Sequence, residues 1–163
     1  MAGSVNNHYR AGGGMKLERG FTLTELLIVT AVVGILALIA YPSYAAYLTK
    51  ARRAEAQMAL LTLMQQQEQY YTHHHAYLPF GAEASEPEAR RFRWWMGESA
   101  ASSAYELSGH ECPEQPLQRC IELRATPGTS RVNSRFRDRD CETLSMTSTG
   151  GQTASGPMAR CWP

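Results

Sequence analysis

The chain has 163 residues, a formal net charge of +1 and 44% hydrophobic residues, which leaves room for one modest domain. This near-neutral charge does not suggest a general nucleic-acid binder, which carries a strongly basic surface. The sequence contains no phosphate-binding glycine loop, no nucleophile elbow and no helical pair of metal ligands, so it predicts no enzyme, metal or other cofactor.

The first twenty residues are predicted to be a leader that takes no part in the fold. Residues 1–14 include Gly12-Gly13-Gly14, have no apolar period, and are expected to be disordered. The short charged stretch from Met15 to Gly20 would form a leader by itself. We therefore expect Met15 to be the true start and residues 1–14 to be an upstream extension.

An apolar segment follows the leader and contains a single carboxylate, Glu25. Nearly every residue from Leu26 to Tyr41 is apolar, and the flanking residues extend the segment to 21–48, long enough to span a membrane. Basic residues lie on both sides, so charge alone does not fix its orientation. Because a carboxylate is costly in hydrocarbon, Glu25 is a candidate functional residue.

The stretch Gly20-Phe21-Thr22-Leu23-Thr24-Glu25, followed by apolar residues, resembles the N-terminus of type IV prepilins. The resemblance implies that a prepilin peptidase cuts after Gly20 and that Phe21 becomes N-methylated. It implies that Glu25 pairs with the N-terminal amine of a neighbouring subunit during assembly. It also places the leader inside and the head outside the inner membrane, next to a pilus assembly platform. The alternative is an ordinary signal anchor.

One helix is predicted from near Thr22 to near Tyr71, and its second half belongs to the head, residues 49–163. Gly34 and Pro42 weaken it, and they match positions where pilin helices kink or locally melt in the filament. Ordinary tolerance of Gly and Pro in membrane helices is the alternative. The apolar residues expected to face the head are Tyr44, Tyr47, Ala51, Ala54, Met58, Leu61, Met64 and Tyr71. A soluble coiled coil is the alternative for this half.

The helix is predicted to give way to a solvated loop at His73 to His75, which lack the spacing of a helical metal site. Residues 81–119 are predicted to be irregular and acidic, in the place of the variable loop of pilins. Within them, Arg90 to Trp95 mixes basic and aromatic groups. We favour burial of the Trp pair under the sheet over stacking on nucleic-acid bases.

Three strands are predicted in the head. A short strand covers Ala104 to Leu107, and a second covers Cys120 to Thr126 with Ile121, Leu123 and Ala125 inward. A third covers Glu142 to Thr147 with Leu144 and Met146 on one face. Ser148 to Gly151 is predicted to be a turn.

The C-terminal residues resemble the end of small pilins of the PilE type, through Asp138 or Asp140, Cys141, Thr143-Leu144, Thr149-Gly150 and Cys161-Trp162. The resemblance implies that Cys141 and Cys161 form a disulfide that closes the C-terminal loop. Cys112 and Cys120 then remain as a pair, although four cysteines allow three connectivities and the sequence alone does not choose. Their spacings do not supply the close pairs of a zinc site.

The expected fold is α+β, with a long N-terminal helix on a small antiparallel sheet of three to four strands. The resemblance implies a structural subunit of a type IV pilus, a minor or PilE-like pilin that lies in the inner membrane with a periplasmic head before joining other pilin subunits in an extracellular pilus. A type II secretion pseudopilin is one alternative, although pseudopilin heads commonly lack the cysteine loop.

A receptor that binds DNA or a surface through its head is the other alternative. Residues 119–140 hold six arginines against three acids, and residues 90–95 add three more arginines. Removal of residues 1–20 would leave 13 basic and 14 acidic side chains, and this balance argues against nucleic acid as a partner.

Overall fold

The computed structural model describes residues 20–163, so the prediction for residues 1–14 lies outside the described residues. The first element is helix α1, Leu23–His74. Thr22 begins it as an N-cap, since the Glu25 N–H donates to Thr22 Oγ1 at 3.2 Å. Thr22 and Glu25 thus have the spacing of a capping box, and the acid lies at the end of the helix where negative charge is stabilising.

The chain divides into one unit that ends at Tyr41 and a second unit, Pro42–Pro163. The apolar part of α1 is long enough to cross a membrane, with a mean hydropathy of 2.5 over its most apolar 18 residues. The side chains of that window are exposed rather than buried in the chain's own core. Such a segment is stable only in lipid or against other apolar helices.

Four strands form one antiparallel sheet in the order β1-β2-β3-β4. They are β1, Tyr105–Glu111; β2, Ile121–Pro127; β3, Leu144–Thr147; and β4, Gln152–Ala154. The inward alternation predicted for β2 and β3 is confirmed, since Ile121, Leu123, Ala125, Leu144 and Met146 are all buried. Two short 3-10 helices, Ala89–Arg91 and Ala100–Ser102, lie in the connection between α1 and β1.

The prediction that residues 81–119 are irregular is wrong at its end, because β1 continues to Glu111. Its last residues, Ser108, Gly109, His110 and Glu111, are polar or small, so they gave no strand signal. They are held by pairing with β2, from Ser108 opposite Arg124 to Glu111 opposite Ile121. Gly109 also lets the Phe80 ring approach the strand, where a Cβ would overlap it.

The predicted head-facing stripe of α1 is wrong for six of its eight residues, whereas Met64 and Tyr71 are half-buried and pack against the core. Met58 and Leu61 are 65% and 44% exposed, and Tyr44, Tyr47, Ala51 and Ala54 are exposed as well. The side chains that pack on the sheet follow a neighbouring heptad face: Arg53, Ala56, Leu60, Leu63 and Gln67. The two ends of this buried face are polar, so an apolar pattern could not reveal it.

The buried polar ends of this face are satisfied by specific partners. The Gln67 amide donates to the Leu78 carbonyl at 2.7 Å and accepts from the Leu78 N–H at 3.0 Å, which ties α1 to the chain that follows it. Arg53 is paired with Asp138. Buried polar groups with complete hydrogen bonding fix one packing arrangement where apolar contacts alone would allow several.

The end of α1 also differs from expectation. His73 and His74 are its last two residues rather than loop residues, and His74 stacks on Tyr70 at 4.0 Å between ring centroids. His75 follows with φ of 55° and terminates the helix. All three histidines are exposed.

Candidate nucleic-acid interface

The connection between β2 and β3, residues 128–143, carries four exposed arginines: Arg131, Arg135, Arg137 and Arg139. We call this segment the arginine connection. It contains no helix or strand, but one backbone hydrogen bond ties its start to the residue before β1 and another closes a turn at its end. The Gly128 N–H donates to the Ala104 carbonyl at 3.1 Å, and the Glu142 N–H donates to the Asp138 carbonyl at 2.9 Å.

Inward side chains alternate with the arginines. Val132 is buried and Phe136 is half-buried, with its ring centroid 5.2 Å from that of Tyr105. Gly128 starts the connection with φ of 60°, and a Cβ there would overlap the Phe136 carbonyl oxygen. The connection therefore folds closely on itself, with its apolar side chains inward and its guanidinium groups outward.

Asp138 is the centre of a buried polar cluster. Its carboxylate accepts from Arg53 Nε at 2.8 Å and Nη2 at 2.7 Å, which is the bidentate geometry of a strong pair. It also accepts from the Tyr105 hydroxyl at 2.7 Å and from the Cys141 N–H at 3.2 Å. This cluster joins α1, β1 and the arginine connection.

The cluster shifts the ionisation of its members. Burial opposes the charged form of Asp138, but the hydrogen bonds from Arg53, Tyr105 and the Cys141 N–H outweigh it and hold the pKa of Asp138 below its ordinary value. Burial raises the pKa of the Tyr105 hydroxyl, and its bond to Asp138 raises it further. Asp138 is therefore ionised, and Tyr105 protonated, at neutral pH.

The four arginines of the connection differ in how far they are engaged. Arg131 pairs with Glu83 and, at 3.3 Å, with Glu106. Arg137 donates from Nη1 to three backbone carbonyls, the shortest bond being 2.6 Å to Ser134. Arg135 and Arg139 form no salt bridge within residues 20–163. These two side chains are the ones available to an external anion.

The disulfide Cys141–Cys161 ties the end of the arginine connection to the C-terminal residues, and a second disulfide, Cys112–Cys120, joins β1 to β2 at the opposite end of that strand pair. The expectation of a disulfide-bounded C-terminal loop is thus confirmed. The loop is also fastened to α1, because the Gln57 amide donates to the Cys161 carbonyl at 2.6 Å. Each disulfide has an exposed arginine next to it in sequence, Arg160 beside Cys161 and Arg119 beside Cys120.

The segment Arg90 to Trp95 does not bury its Trp pair as predicted. Trp94 and Trp95 are half-buried with their ring centroids 5.0 Å apart, while Phe92 and Met96 fill the core instead. The reason is backbone pairing, since the Leu107 N–H donates to the Trp94 carbonyl at 2.8 Å and so places this segment along the edge of β1. The Arg93 guanidinium lies 5.5 Å from the Trp95 ring centroid.

The outer face of the sheet carries polar side chains that are paired with one another. Ser108 and His110 are hydrogen bonded at 2.8 Å, and Arg124 pairs with Glu122 at 2.6 Å. Partial burial lowers the pKa of His110, and the nearby Arg124 lowers it further. This face therefore offers a less basic surface than the arginine connection.

The remaining predicted site residues lie at the start of the chain. Gly20 and Phe21 precede α1, Glu25 lies in its first turn, and Gly34 and Pro42 lie within it. Their roles in processing, assembly and kinking stay predictions. The histidines at the end of α1 belong to no group of three or more His, Cys, Asp or Glu in the described part of the chain that could hold a metal ion.

An apolar N-terminal helix continued into a head, where it packs on an antiparallel sheet with a disulfide-bounded end, defines the class of type IV pilins. Residues 42–145 match the family described as type IV minor pilin ComP, DNA uptake sequence receptor, and the chain belongs to this family. Residues 15–41 match the prokaryotic N-terminal methylation motif, which fits cleavage after Gly20 and methylation of Phe21. Proteins of this class are structural subunits.

The chain spans less than half of the length of the curated relatives that it matches. The chain is 35% identical over 90 residues to the type IV major pilin PilA of Myxococcus xanthus, a match that covers 55% of this chain and 41% of that protein. It is 43% identical over 58 residues to the type IV major pilin PilE1 of Neisseria gonorrhoeae, covering 36% and 35%. A solved type IV pilin structure from Shewanella oneidensis is 25% identical with a TM-score of 0.44, covering 71% of this chain and 98% of that one.

Proposed function

We propose that this chain is a minor subunit of a type IV pilus that binds double-stranded DNA through the arginine connection. The observation that carries the proposal is the family match, which covers residues 42–145 and therefore the whole arginine connection. The family's description names a DNA uptake sequence receptor. Arg135 and Arg139 support it, because exposed guanidinium groups without a carboxylate partner are suited to contact phosphates.

The assembly part of the proposal rests on the N-terminal segment. A prepilin peptidase removes the leader after Gly20, and Phe21 is methylated. Before assembly the chain lies in the inner membrane with its head in the periplasm. The assembly platform then moves it into an extracellular pilus with other pilin subunits. The exposed apolar face of α1, which includes Tyr44, Tyr47, Met58 and Leu61, supports this, since such a face is stable when other subunits cover it.

The charge pattern explains how a near-neutral head would bind DNA. Residues 83–114 hold seven acids against three arginines, whereas residues 119–140 hold six arginines against three acids. The negative charge of Asp138 is offset by Arg53 at 2.7 Å, so it subtracts little from the basic segment. DNA responds to the local field of the surface it meets more than to the total charge.

The DNA proposal is tested by titrating a labelled duplex oligonucleotide with the mature chain in detergent micelles over a range of salt concentrations. We expect binding at low salt that weakens steeply as salt rises. The double variant Arg135→Gln/Arg139→Gln should weaken binding and reduce the slope of log affinity against log salt by about two. Arg52→Gln is the matched control, because Arg52 is exposed but engaged with Glu55. A wild-type chain that does not bind at low salt would refute DNA binding.

The pilus proposal is tested by mass spectrometry of sheared surface filaments under non-reducing conditions. We expect a peptide that starts at N-methyl-Phe21, at low ratio to the major subunit. A processed chain found in the inner membrane but absent from filaments would contradict the proposal and favour a pseudopilin or an assembly-priming subunit.

Glu25 offers a second test of assembly. Replacing it with valine removes the charge proposed to pair with the N-terminal amine, so Glu25→Val should leave cleavage after Gly20 largely intact and reduce incorporation into filaments severely. Thr24→Val is the matched control and should assemble. Normal incorporation of Glu25→Val would remove this role.

A further inference from the structure

An aspartate lies in the middle of the arginine connection, where its charge would by itself repel DNA. Asp138 is 3% exposed and is flanked by two outward arginines, Arg137 and Arg139. Its neighbour Asp140 is exposed and touches Arg53 at 3.5 Å only. The two acids therefore carry the same charge in the same segment but are engaged very differently.

We propose that Asp138 is a positioning residue for DNA binding, whose carboxylate, held by Arg53 and Tyr105, fixes the backbone that presents Arg135 and Arg139. This inference rests on the proposed function of the arginine connection. Asp138 itself touches no DNA; it acts through the two arginines.

The hydrogen bonds of Asp138 explain how one residue can fix the backbone conformation of the arginine connection. Its two carboxylate oxygens accept from Arg53 on α1 and from Tyr105 on β1, which anchor it to two regular elements. Its Oδ1 also accepts from the Cys141 N–H, and its carbonyl accepts from the Glu142 N–H. The single turn that carries Arg139 is thereby capped and closed by Asp138.

The backbone at Arg135 is also held by the Asp138 cluster, through the neighbouring residue Phe136. The ring of Phe136, the next residue, packs on Tyr105, and the Phe136 N–H donates to the Asn133 carbonyl at 3.0 Å. Tyr105 is fully buried and bonds Asp138 through its hydroxyl, so it contacts both inward residues that flank Arg137. Holding both inward residues fixes which way the intervening and adjacent arginines extend.

The choice of an ion pair supports positioning over simple stabilisation. A buried ion pair is often no more stabilising than apolar residues of the same size, whereas its bidentate geometry defines distance and orientation closely. Here that geometry joins residues 85 positions apart in sequence. An irregular segment needs such a constraint, since flexible arginines would lose conformational entropy on binding.

The test asks whether removing the charge of Asp138 raises or lowers the affinity for a DNA duplex. Asp138→Asn removes a negative charge from the basic surface, so long-range electrostatics alone predicts tighter binding of the duplex. Positioning predicts the opposite, and we expect affinity at fixed salt to fall about tenfold, within the range of couplings between contacting residues. Asp140→Asn is the matched control: it removes the same charge two residues away and should bind as well as the wild type or slightly better.

A double-mutant cycle separates positioning from general damage to the fold. In the Arg135→Gln/Arg139→Gln background the arginines that Asp138 presents are gone, so Asp138→Asn should weaken the remaining binding by less than about twofold. An equal loss in both backgrounds would overturn the proposal. So would wild-type or tighter binding by Asp138→Asn with intact tryptophan fluorescence and both disulfides formed.

Tyr105→Phe keeps the experiment decisive if Asp138→Asn does not fold. It removes one hydrogen bond to Asp138 without changing the charge, and we expect about a threefold loss of affinity, again absent in the double-arginine background. Unchanged affinity would overturn the proposal. These failures differ from failure of the proposed function, in which the wild-type chain itself would not bind the duplex.

Discussion

The second half of α1 has two apolar faces, and they differ in what holds them. The inner face contains Ala56, Leu60 and Leu63, which are at most 4% exposed, with Arg53 and Gln67 at its ends. The outer face contains Met58 and Leu61, which remain exposed. The buried polar groups at the ends of the inner face need specific hydrogen-bond partners, so this face fits one packing arrangement. The apolar groups of the outer face make non-directional contacts and can pack against many surfaces. The difference separates a face built for the chain's own head from one left for other subunits.

Arg53 gives the largest expected difference between a buried and an exposed arginine of α1. Arg53→Met leaves the Asp138 carboxylate buried beside Tyr105 without its cation, so we expect the free energy of unfolding to fall by about 3–5 kcal/mol. Arg52→Met removes the exposed pair with Glu55 and should change it by less than about 1 kcal/mol. Urea denaturation of the mature chain in micelles, followed by tryptophan fluorescence, measures both, and equal values would contradict the role assigned to Asp138.

Leu60 and its neighbour Leu61 compare the two faces directly. Leu60→Ala opens a cavity in the core and should lower the free energy of unfolding by about 2–5 kcal/mol. Leu61→Ala should lower it by less than about 1 kcal/mol, since that side chain stays partly in contact with solvent. The same denaturation experiment applies. We also expect Leu61→Asp to reduce incorporation into filaments while leaving stability near the wild-type value; the reverse result would assign the outer face to the chain's own fold.

Gln67 tests the amide at the far end of the inner face. Gln67→Met keeps the length of the side chain but leaves the Leu78 N–H and carbonyl without their partner, which should lower stability by about 1–3 kcal/mol. The exposed neighbour Gln66 is the control, and Gln66→Met should have no measurable effect. Amide hydrogen exchange at Leu78 provides a local readout, and unchanged protection there in Gln67→Met would argue against this contact.

Acid should weaken the buried cluster of Asp138, Arg53 and Tyr105 by protonating the Asp138 carboxylate. Because the pKa of Asp138 is lower in the folded chain than its ordinary value of 3.8, its contribution is complete above about pH 4 and is lost as the pH falls through the folded pKa, below 3.8. Asp138→Asn should therefore remove part of the fall in stability below pH 4, while Asp140→Asn should keep it. Denaturation midpoints between pH 2 and pH 5 measure this, and identical slopes for the two variants would be the contrary outcome.

Local patterns predicted several elements well. The start of α1 near Thr22, its apolar run and its length depend on residues close in sequence, as does the period of two that placed Leu123 and Ala125 inward. Patterns failed where an element is held by distant partners. The end of β1 is polar and is defined by pairing with β2, and the helical face that binds the head is marked at its ends by a buried arginine and a buried glutamine.

The candidate site was predicted in part. The excess of arginine in residues 119–140 was visible, yet the total charge argued against a nucleic-acid partner. The sequence also left open whether Asp138 or Asp140 is the residue that matches the tail of PilE-type pilins. Burial separates them: one is enclosed by Arg53 and Tyr105, and the other is exposed.

The sequence by itself indicated the pilin class and the processing motif, through the resemblance of its N-terminus to prepilins. It also determined the membrane-length helix, β2, β3 and the first half of β1, because each depends on a local pattern of apolar and polar residues. The tertiary structure alone decided which face of α1 meets the head and which arginines stay without a carboxylate partner. The physical reason is that the burial of a charge depends on partners far away along the chain, as with Arg53 and Asp138, 85 residues apart.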